Sequence, residues 1–389
     1  MSEMDSNKLS GEQEQPISSY QGMTTVYAAL VGVGVLTLQR NIVEEARTDA
    51  VWVVVVGGLL VMLEVWLVTK LMQRFPHQGL VTISAKLLGS KKRTWQGVLL
   101  TVPFVLILGF YWLLTAAVVS RTFGEVLVSA VLPFTPMGVI LLVFIGGGAL
   151  VAASRLEVVA RLNEFFFPFL LFPLFLILLS WIQEGDWENL LPMFQLDWKS
   201  LIPAVLGSSF AYSGFSVIFI FMAYYQQPKK AGRAHITAVG LVTIIYLVVV
   251  SSSLAVFGPE ELVQLMWPTL DLVEVTAFPG MIFERLESGF LALWMIAVFT
   301  TVSTFFGALV DTAIHLFGIK ERHRKWVAWG LAPILYMLAL YPPNMFVLAR
   351  WLELSGWYEP AASVFVALFF WGLAVQGSRG RGEQDAEVS

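Results

Sequence analysis

Long apolar runs separated by short polar ones dominate the chain. A helix that crosses a bilayer needs about 20 mostly apolar residues. Stretches of that kind fall near 19–43, 50–71, 95–120, 136–153, 162–182, 201–224, 236–257, 285–312, 326–343 and 358–376. This pattern predicts an all-α polytopic membrane protein with about ten transmembrane helices. A polar tail at 1–18 precedes the transmembrane domain at 19–376, and a second polar tail follows at 377–389. The first 18 residues lack a basic segment leading into an apolar one, so no cleavable signal peptide is expected.

The positions of the charges test that count. Eighteen of the 24 basic residues fall in one set of alternate loops, from Lys8 through the Lys91, Lys92 and Arg93 cluster to Arg379 and Arg381. Only Arg40, Arg47, Arg121, Lys199, Arg285 and Arg350 fall in the other. By the positive-inside rule this places both termini in the cytoplasm and requires an even number of spans. Between 72 and 93, Leu80, Ile83, Leu87 and Leu88 recur at helical spacing beside basic residues, as in an amphipathic helix lying on the cytoplasmic leaflet. Trp52, Trp66, Trp95, Trp112, Trp181, Trp326, Trp329 and Trp357 stand near predicted helix ends, where interfacial aromatic anchors belong.

Composition narrows the function. The chain is 57% apolar and 13% charged, far from the roughly 25% charge of a soluble domain. The 29 Phe and 14 Trp exclude disorder. A net charge of -4 argues against a nucleic-acid partner. The absence of cysteine removes disulfides, thiolate metal sites and cysteine nucleophiles. The four histidines have no metal-binding spacing, and no phosphate-binding loop or catalytic pair is recognisable. No catalytic residue, cofactor or metal is expected, and the chain does not read as an enzyme.

Two spans look broken. In the first, Gly32 and Gly34 interrupt LVGVGVLTLQR at mid-membrane. In the sixth, LGSSFAYSGFSVIF packs Gly207, Ser208, Ser209, Ser213, Gly214 and Ser216 into ten residues. Spans one and six are the equivalent members of two five-helix halves, about 19–182 and 201–376. Interruptions at corresponding positions of two halves point to a binding site in transporter-type folds. Freed N–H groups after Gly32 and Gly34 suit a carboxylate. Freed carbonyls near Ser208–Ser213 suit an ammonium group or a cation. Together they suit a zwitterion such as an amino acid, and the competing reading is close packing of small residues.

Other polar positions within spans are candidates for an ion or coupling site. Intramembrane acids are costly and functional by default, which singles out Glu64 and Asp311. Glu64 suits either proton coupling or hydrogen bonding between helices. Asp311 suits either coupling or a helix-end pair with Lys320 or Arg324. Thr300, Thr301, Ser303 and Thr304 offer hydroxyls for a sodium ion, or bond back to their own helix. Phe104 and Phe299 are candidate pocket walls, with Tyr111, Tyr212 and Phe215 as further aromatic candidates.

The segments ISSYQ at 17–21, GVGVLTLQRNIVEEARTDAVW at 32–52, RFP at 74–76, LPFTP at 132–136, LEVVAR at 156–161, WPTLDLVEV at 267–275 and PGMIFERLESGFLALW at 279–294 occur in a telling order. They resemble the B subunits of GerA-type spore germinant receptors, over about residues 17–375. That family is similar to amino acid permeases of the amino acid, polyamine and organocation superfamily, with a five-plus-five inverted repeat (a LeuT-like fold) in which helices 1 and 6 are broken. The resemblance implies a nutrient-sensing subunit of the inner spore membrane, working beside an A subunit and a lipoprotein C subunit. It implies a ligand site at Gly32, Val33, Gly34, Val35 and Leu36 of the first span and at Ser208, Ser209, Phe210, Tyr212, Ser213 and Gly214 of the sixth. Gln39 departs from the family pattern, which often has Pro before the position of Arg40. The alternative function is a proton- or sodium-coupled secondary amino acid transporter.

Overall fold

The computed structural model describes residues 16–89, 94–275 and 286–387. Lys8, Lys91, Lys92, Arg93, Arg285 and the 279–285 part of the last motif lie outside the described residues. Within them the chain is helical, and the one β-bridge joins Ile17 to Tyr225.

The helices are α1 (Ser19–Val31), α2 (Gly34–Ala46), α3 (Ala50–Gln73), α4 (Leu80–Leu88), α5 (Thr94–Ala130), α6 (Met137–Ala152) and α7 (Leu156–Glu184) in the first half. The second half has α8 (Trp198–Ser208), α9 (Ile218–Phe221), α10 (Ala231–Leu262), α11 (Pro268–Glu274), α12 (Leu286–Phe317), α13 (Arg324–Leu340) and α14 (Met345–Glu387). Each predicted span has a counterpart. Span one is the pair α1 and α2, and span six is α8 followed by an unwound segment, a 3-10 turn and α9. Among the described residues, six helices are long and apolar enough to cross a membrane by length and composition alone. The outer faces carry large apolar side chains such as Leu63, Leu99, Leu106, Leu142, Val143 and Phe172, each more than half exposed. Thr300, Thr301, Ser303, Thr304 and Thr312 of α12 are buried instead. This inversion suits a chain whose solvent is hydrocarbon.

Several boundaries differ from the sequence reading. α5 runs ten residues beyond 120 because Arg121, which reads as the end of the span, pairs with Glu125 one turn on at 2.8 Å. Trp112 is therefore not an interfacial anchor. It lies mid-helix, fully buried, and its indole N–H donates to Ser216 Oγ at 2.9 Å. α14 starts at Met345 rather than near 358, since Arg350, Glu353 and Glu359 dilute the apolar signal without breaking a helix. It also runs to Glu387, past the 376 limit. α4 forms as the amphipathic pattern requires, but Leu80 and Ile83 are buried in the protein against its neighbours, α5 chief among them, while Lys86 faces out. Its apolar face is thus taken by protein rather than by the leaflet.

Motif residues brace the two ends of span six. Asp49, just before α3, accepts Trp52 Nε1–H at 2.9 Å and the backbone N–H groups of Phe194, Gln195 and Leu196, the last two at 2.7 and 2.6 Å. It thereby fixes the loop that leads into α8, where Asp197 caps the helix by accepting Ser200 N–H at 2.8 Å. Hydrogen bonds from Ser200 hold the exposed Asp197 carboxyl below the usual carboxylate range. At the other end, Tyr225 pairs with the entry to span one through Ile17 and shares a hydrogen bond of 2.9 Å with His235 Nε2. His235 Nδ1 reaches Thr69 at 2.8 Å, which ties α3, α10 and span six together.

Asp311 belongs to this end too. Its carboxylate accepts Tyr224 O–H at 2.9 Å and Arg324 Nη1–H at 3.0 Å, with His315 Nδ1 3.3 Å away. The expected helix-end pair is therefore made with Arg324, and both side chains are only 4% exposed. Removing one partner of a buried pair strands the other charge, at about 3–5 kcal/mol. Arg324→Met is expected to lower the thermal unfolding temperature of the detergent-solubilised protein markedly, and the double variant Asp311→Asn with Arg324→Met to recover most of that loss.

Candidate functional site

The chain unwinds in both places where glycine and serine interrupt the apolar pattern. α1 stops at Val31 and α2 begins at Gly34, with Gly32 and Val33 in a turn between them. α8 stops at Ser208, residues 209–214 form successive turns, and helix resumes at Phe215. Gly214 has φ +143°, a conformation L side chains rarely adopt, and a Cβ there would run into the Ala29 carbonyl oxygen. Gly34 is needed for closeness, because its own Cβ would lie 2.8 Å from the Cα and Cβ of Ala211. The two breaks therefore touch, span one against span six.

Interrupted helices leave carbonyls without i+4 donors. Tyr246 of α10 lies between the two breaks with its hydroxyl 2.9 Å from the Leu30 carbonyl of span one and 2.8 Å from the Ala211 carbonyl of span six. One phenolic proton thus serves both. Thr301 of α12 donates to the Ala28 carbonyl at 2.6 Å. Beyond the break, Thr269 of α11 donates to the Val35 carbonyl at 2.6 Å, and Gln39 Nε2 donates to Thr269 Oγ1 at 2.6 Å. The WPTLDLVEV motif is thus a short helix packed on α2, and Gln39, the departure from the family pattern, anchors it.

The ligand-site candidates Gly32, Val33, Gly34, Val35, Leu36, Ser208, Ser209, Phe210, Tyr212, Ser213 and Gly214 all lie at or beside these breaks. Several already have partners. Ser208, Ser209 and Ser213 donate to carbonyls of Val205, Leu206 and Ser209 in their own span. Tyr212 donates to the Val54 carbonyl of α3 at 2.9 Å and meets Tyr246 edge to face. Phe104 and Phe299 are drawn elsewhere. Phe104 packs with Phe369 and Phe370 of α14, each 4.8 Å between ring centroids, and Phe299 packs with Phe144 of α6.

Of the ion-site candidates, Thr300 donates to Ala297 O and Thr304 to Thr300 O, so both bond back to their own helix. Thr304 Oγ1 also accepts from Asn163 of α7 at 2.9 Å, and Ser303 Oγ is buried without a partner. Glu64 is half-buried on α3 with Oε2 unpartnered. Asp311 lies in the ion pair near the end of α12, outside the breaks.

Sequence reasoning missed two residues here. Tyr246 sits in an unbroken apolar run with nothing local to mark it. Glu359 is fully buried and accepts the Ser216 N–H, at the restart of span six, at 2.8 Å. Its signal was an acid followed by an uninterrupted apolar run, which reads as a helix start instead of mid-span.

Residues 16–345 match the family model described as "Spore germination protein", the spore permeases. The chain belongs to this family. Spore germination protein YndE of Bacillus subtilis is 27% identical over 95% of this chain and 98% of its own length. Spore germination protein B2 of the same organism is 21% identical over 96% and 99%, and Spore germination protein GerLB of Bacillus cereus is 26% identical over 91% and 93%. Among solved structures, MhsT in complex with L-phenylalanine superposes with a TM-score of 0.63 over 92% of this chain and 90% of that one, at 16% identity. Mhp1, a nucleobase-cation-symport-1 family transporter, gives 0.61 over 88% and 75%, at 11% identity. The germination protein thus has a LeuT-like fold.

In this germination protein, Tyr246→Phe strands at least one buried carbonyl, at a cost of about 1–3 kcal/mol. Its thermal unfolding temperature is expected to fall. Gly214→Ala, which adds backbone strain to a clash, is expected to cost at least as much, measured the same way.

Proposed function

We propose that the protein is the nutrient-sensing B-type subunit of a germinant receptor, and that it binds a small molecule, an amino acid by class, between the breaks of spans one and six. The observation that carries this reading is the meeting of the breaks at Gly34 and Ala211, with Tyr246 bridging their carbonyls. A ligand with an ammonium group can replace the tyrosine proton on those carbonyls, and its carboxylate can take the N–H groups at the start of α2. Family membership gives the process, and the relatives' names place it in spore germination.

Signalling follows from differential affinity. A ligand that fits only when Gly34 and Ala211 part shifts the protein toward that arrangement, by no more than its preference for it. Span six then transmits the change, since it is tied at one end to Asp49 and at the other to Tyr224 and Tyr225. We place the protein in the inner spore membrane, as the family resemblance implies, with both termini cytoplasmic, from the distribution of basic residues. Its partners are an A subunit and a lipoprotein C subunit, and no catalytic step is assigned to it.

A transporter reading is favoured by one observation, the likeness in fold to a structure solved with an amino acid bound. Counterflow of radiolabelled amino acid in proteoliposomes separates the two, because a sensor binds without sustained flux. For the site itself, the purified protein should be stabilised against heat by its nutrient in an amino acid screen. Gly34→Trp and Ser209→Trp should each abolish that stabilisation, and unchanged binding in both would rule out the site between the breaks.

A further inference from the structure

Glu359 stands where α14 crosses the unwound part of span six. Gly356 packs against the Phe210 backbone, and Pro360, which has no N–H, leaves the Gly356 carbonyl without its helical donor. Ser213 Oγ turns toward that carbonyl at 3.5 Å. One turn on, Glu359 Oε1 accepts the Ser216 N–H at 2.8 Å. Span ten thus supplies a carboxyl oxygen as acceptor to the restarting helix of span six.

The other carboxyl oxygen is the unexplained part. Glu359 Oε2 is fully buried without a partner. Ser363 Oγ, one turn along the same helix, is also buried and unpartnered, as are Tyr111 O–H and Thr115 Oγ1 on successive turns of α5. Helices α5 and α3 both pack on α14 and carry the ionisable groups Tyr111 and Glu64, which interact electrostatically with Glu359. Glu64 Oε2 is a further buried oxygen without a partner. Among the described residues, no lysine, arginine or histidine forms an ion pair with either carboxyl. Two unpaired carboxylates within hydrocarbon are prohibitively costly, and one added positive charge relieves most of that cost.

We propose that Glu359 and Glu64 form a proton-binding site, in which Glu359 carries the proton on Oε2 toward the hydroxyls of Ser363, Tyr111 and Thr115. A proton suits the site better than a metal ion because it needs no cavity where spans six and ten are in backbone contact. The proton also bears on span six. A charged carboxylate grips a helix N-terminus more strongly than the neutral acid. Loss of the proton therefore tightens the hold of span ten on Ser216, and its return loosens it. This goes beyond the nutrient site, and the test involves no nutrient.

The test is infrared difference spectroscopy of the full-length protein in choline chloride, titrated from about pH 5 to pH 9. The wild type should show the C=O stretch of a protonated carboxyl near neutral pH, fading as the pH rises. Glu359→Gln, which keeps an oxygen for Ser216 N–H, should lack that component. Glu64→Gln removes the opposing charge and should shift the fading to lower pH, by about one unit. A wild type without a fading band, or a full-strength band in Glu359→Gln, overturns the proposal. So does a band that titrates identically in Glu64→Gln, or one abolished by replacing choline with sodium, which would assign the site to an alkali-metal ion. Should Glu359→Gln fail to fold, the wild-type band and the Glu64→Gln shift decide alone.

Discussion

A helix that stops halfway across a bilayer leaves amides and carbonyls that hydrocarbon cannot satisfy. Two such interruptions face each other in this protein, and the groups that answer them come from helices far away in sequence. Tyr246 serves a carbonyl from each break, Thr301 a third, and Glu359 an amide. The close approach of Gly34 to Ala211 follows from this arrangement. So does the choice of polar residues on spans seven, eight and ten, which otherwise read as ordinary apolar helices.

Span six is held along its whole length as a result. Asp49 fixes the loop before it, Tyr246 and Glu359 hold its unwound centre, and Tyr224 and Tyr225 secure its far end to α12 and α10. That far end gains a buried ion pair between Asp311 and Arg324, worth keeping only while both partners stay in place. A rearrangement at the centre therefore has two firm ends to pull against. That is the property a receptor subunit requires, since a small ligand supplies only its differential affinity.

The spans, the breaks and the helix at 80–88 were legible because each depends on local pattern: run length, glycine and serine clustering, and helical spacing. The family could be read from motif order. What was not legible depends on partners distant in sequence. The role of Asp49 needs residues 194–196, and the bond of Trp112 needs Ser216. Tyr246 is one tyrosine in an apolar run until both breaks are folded around it. Glu359 was hidden by a boundary error, because Arg350 and Glu353 made the first half of α14 look like a loop. The hydroxyls of Thr300 and Thr304 and the aromatics Phe104 and Phe299 were drawn to the site by residue type alone, and each has a nearer partner in the fold.

If the breaks are the nutrient site, Tyr246 is the lid on it, and a bound molecule must take over at least one of its two carbonyls. A cryo-electron microscopy map of the protein with its nutrient tests this most directly. The account predicts density between residues 32–36 and 208–214, with the Tyr246 hydroxyl displaced from the Leu30 or the Ala211 carbonyl and Gly34 moved off Ala211. A nutrient seated elsewhere, with that contact and both hydrogen bonds intact, would contradict it.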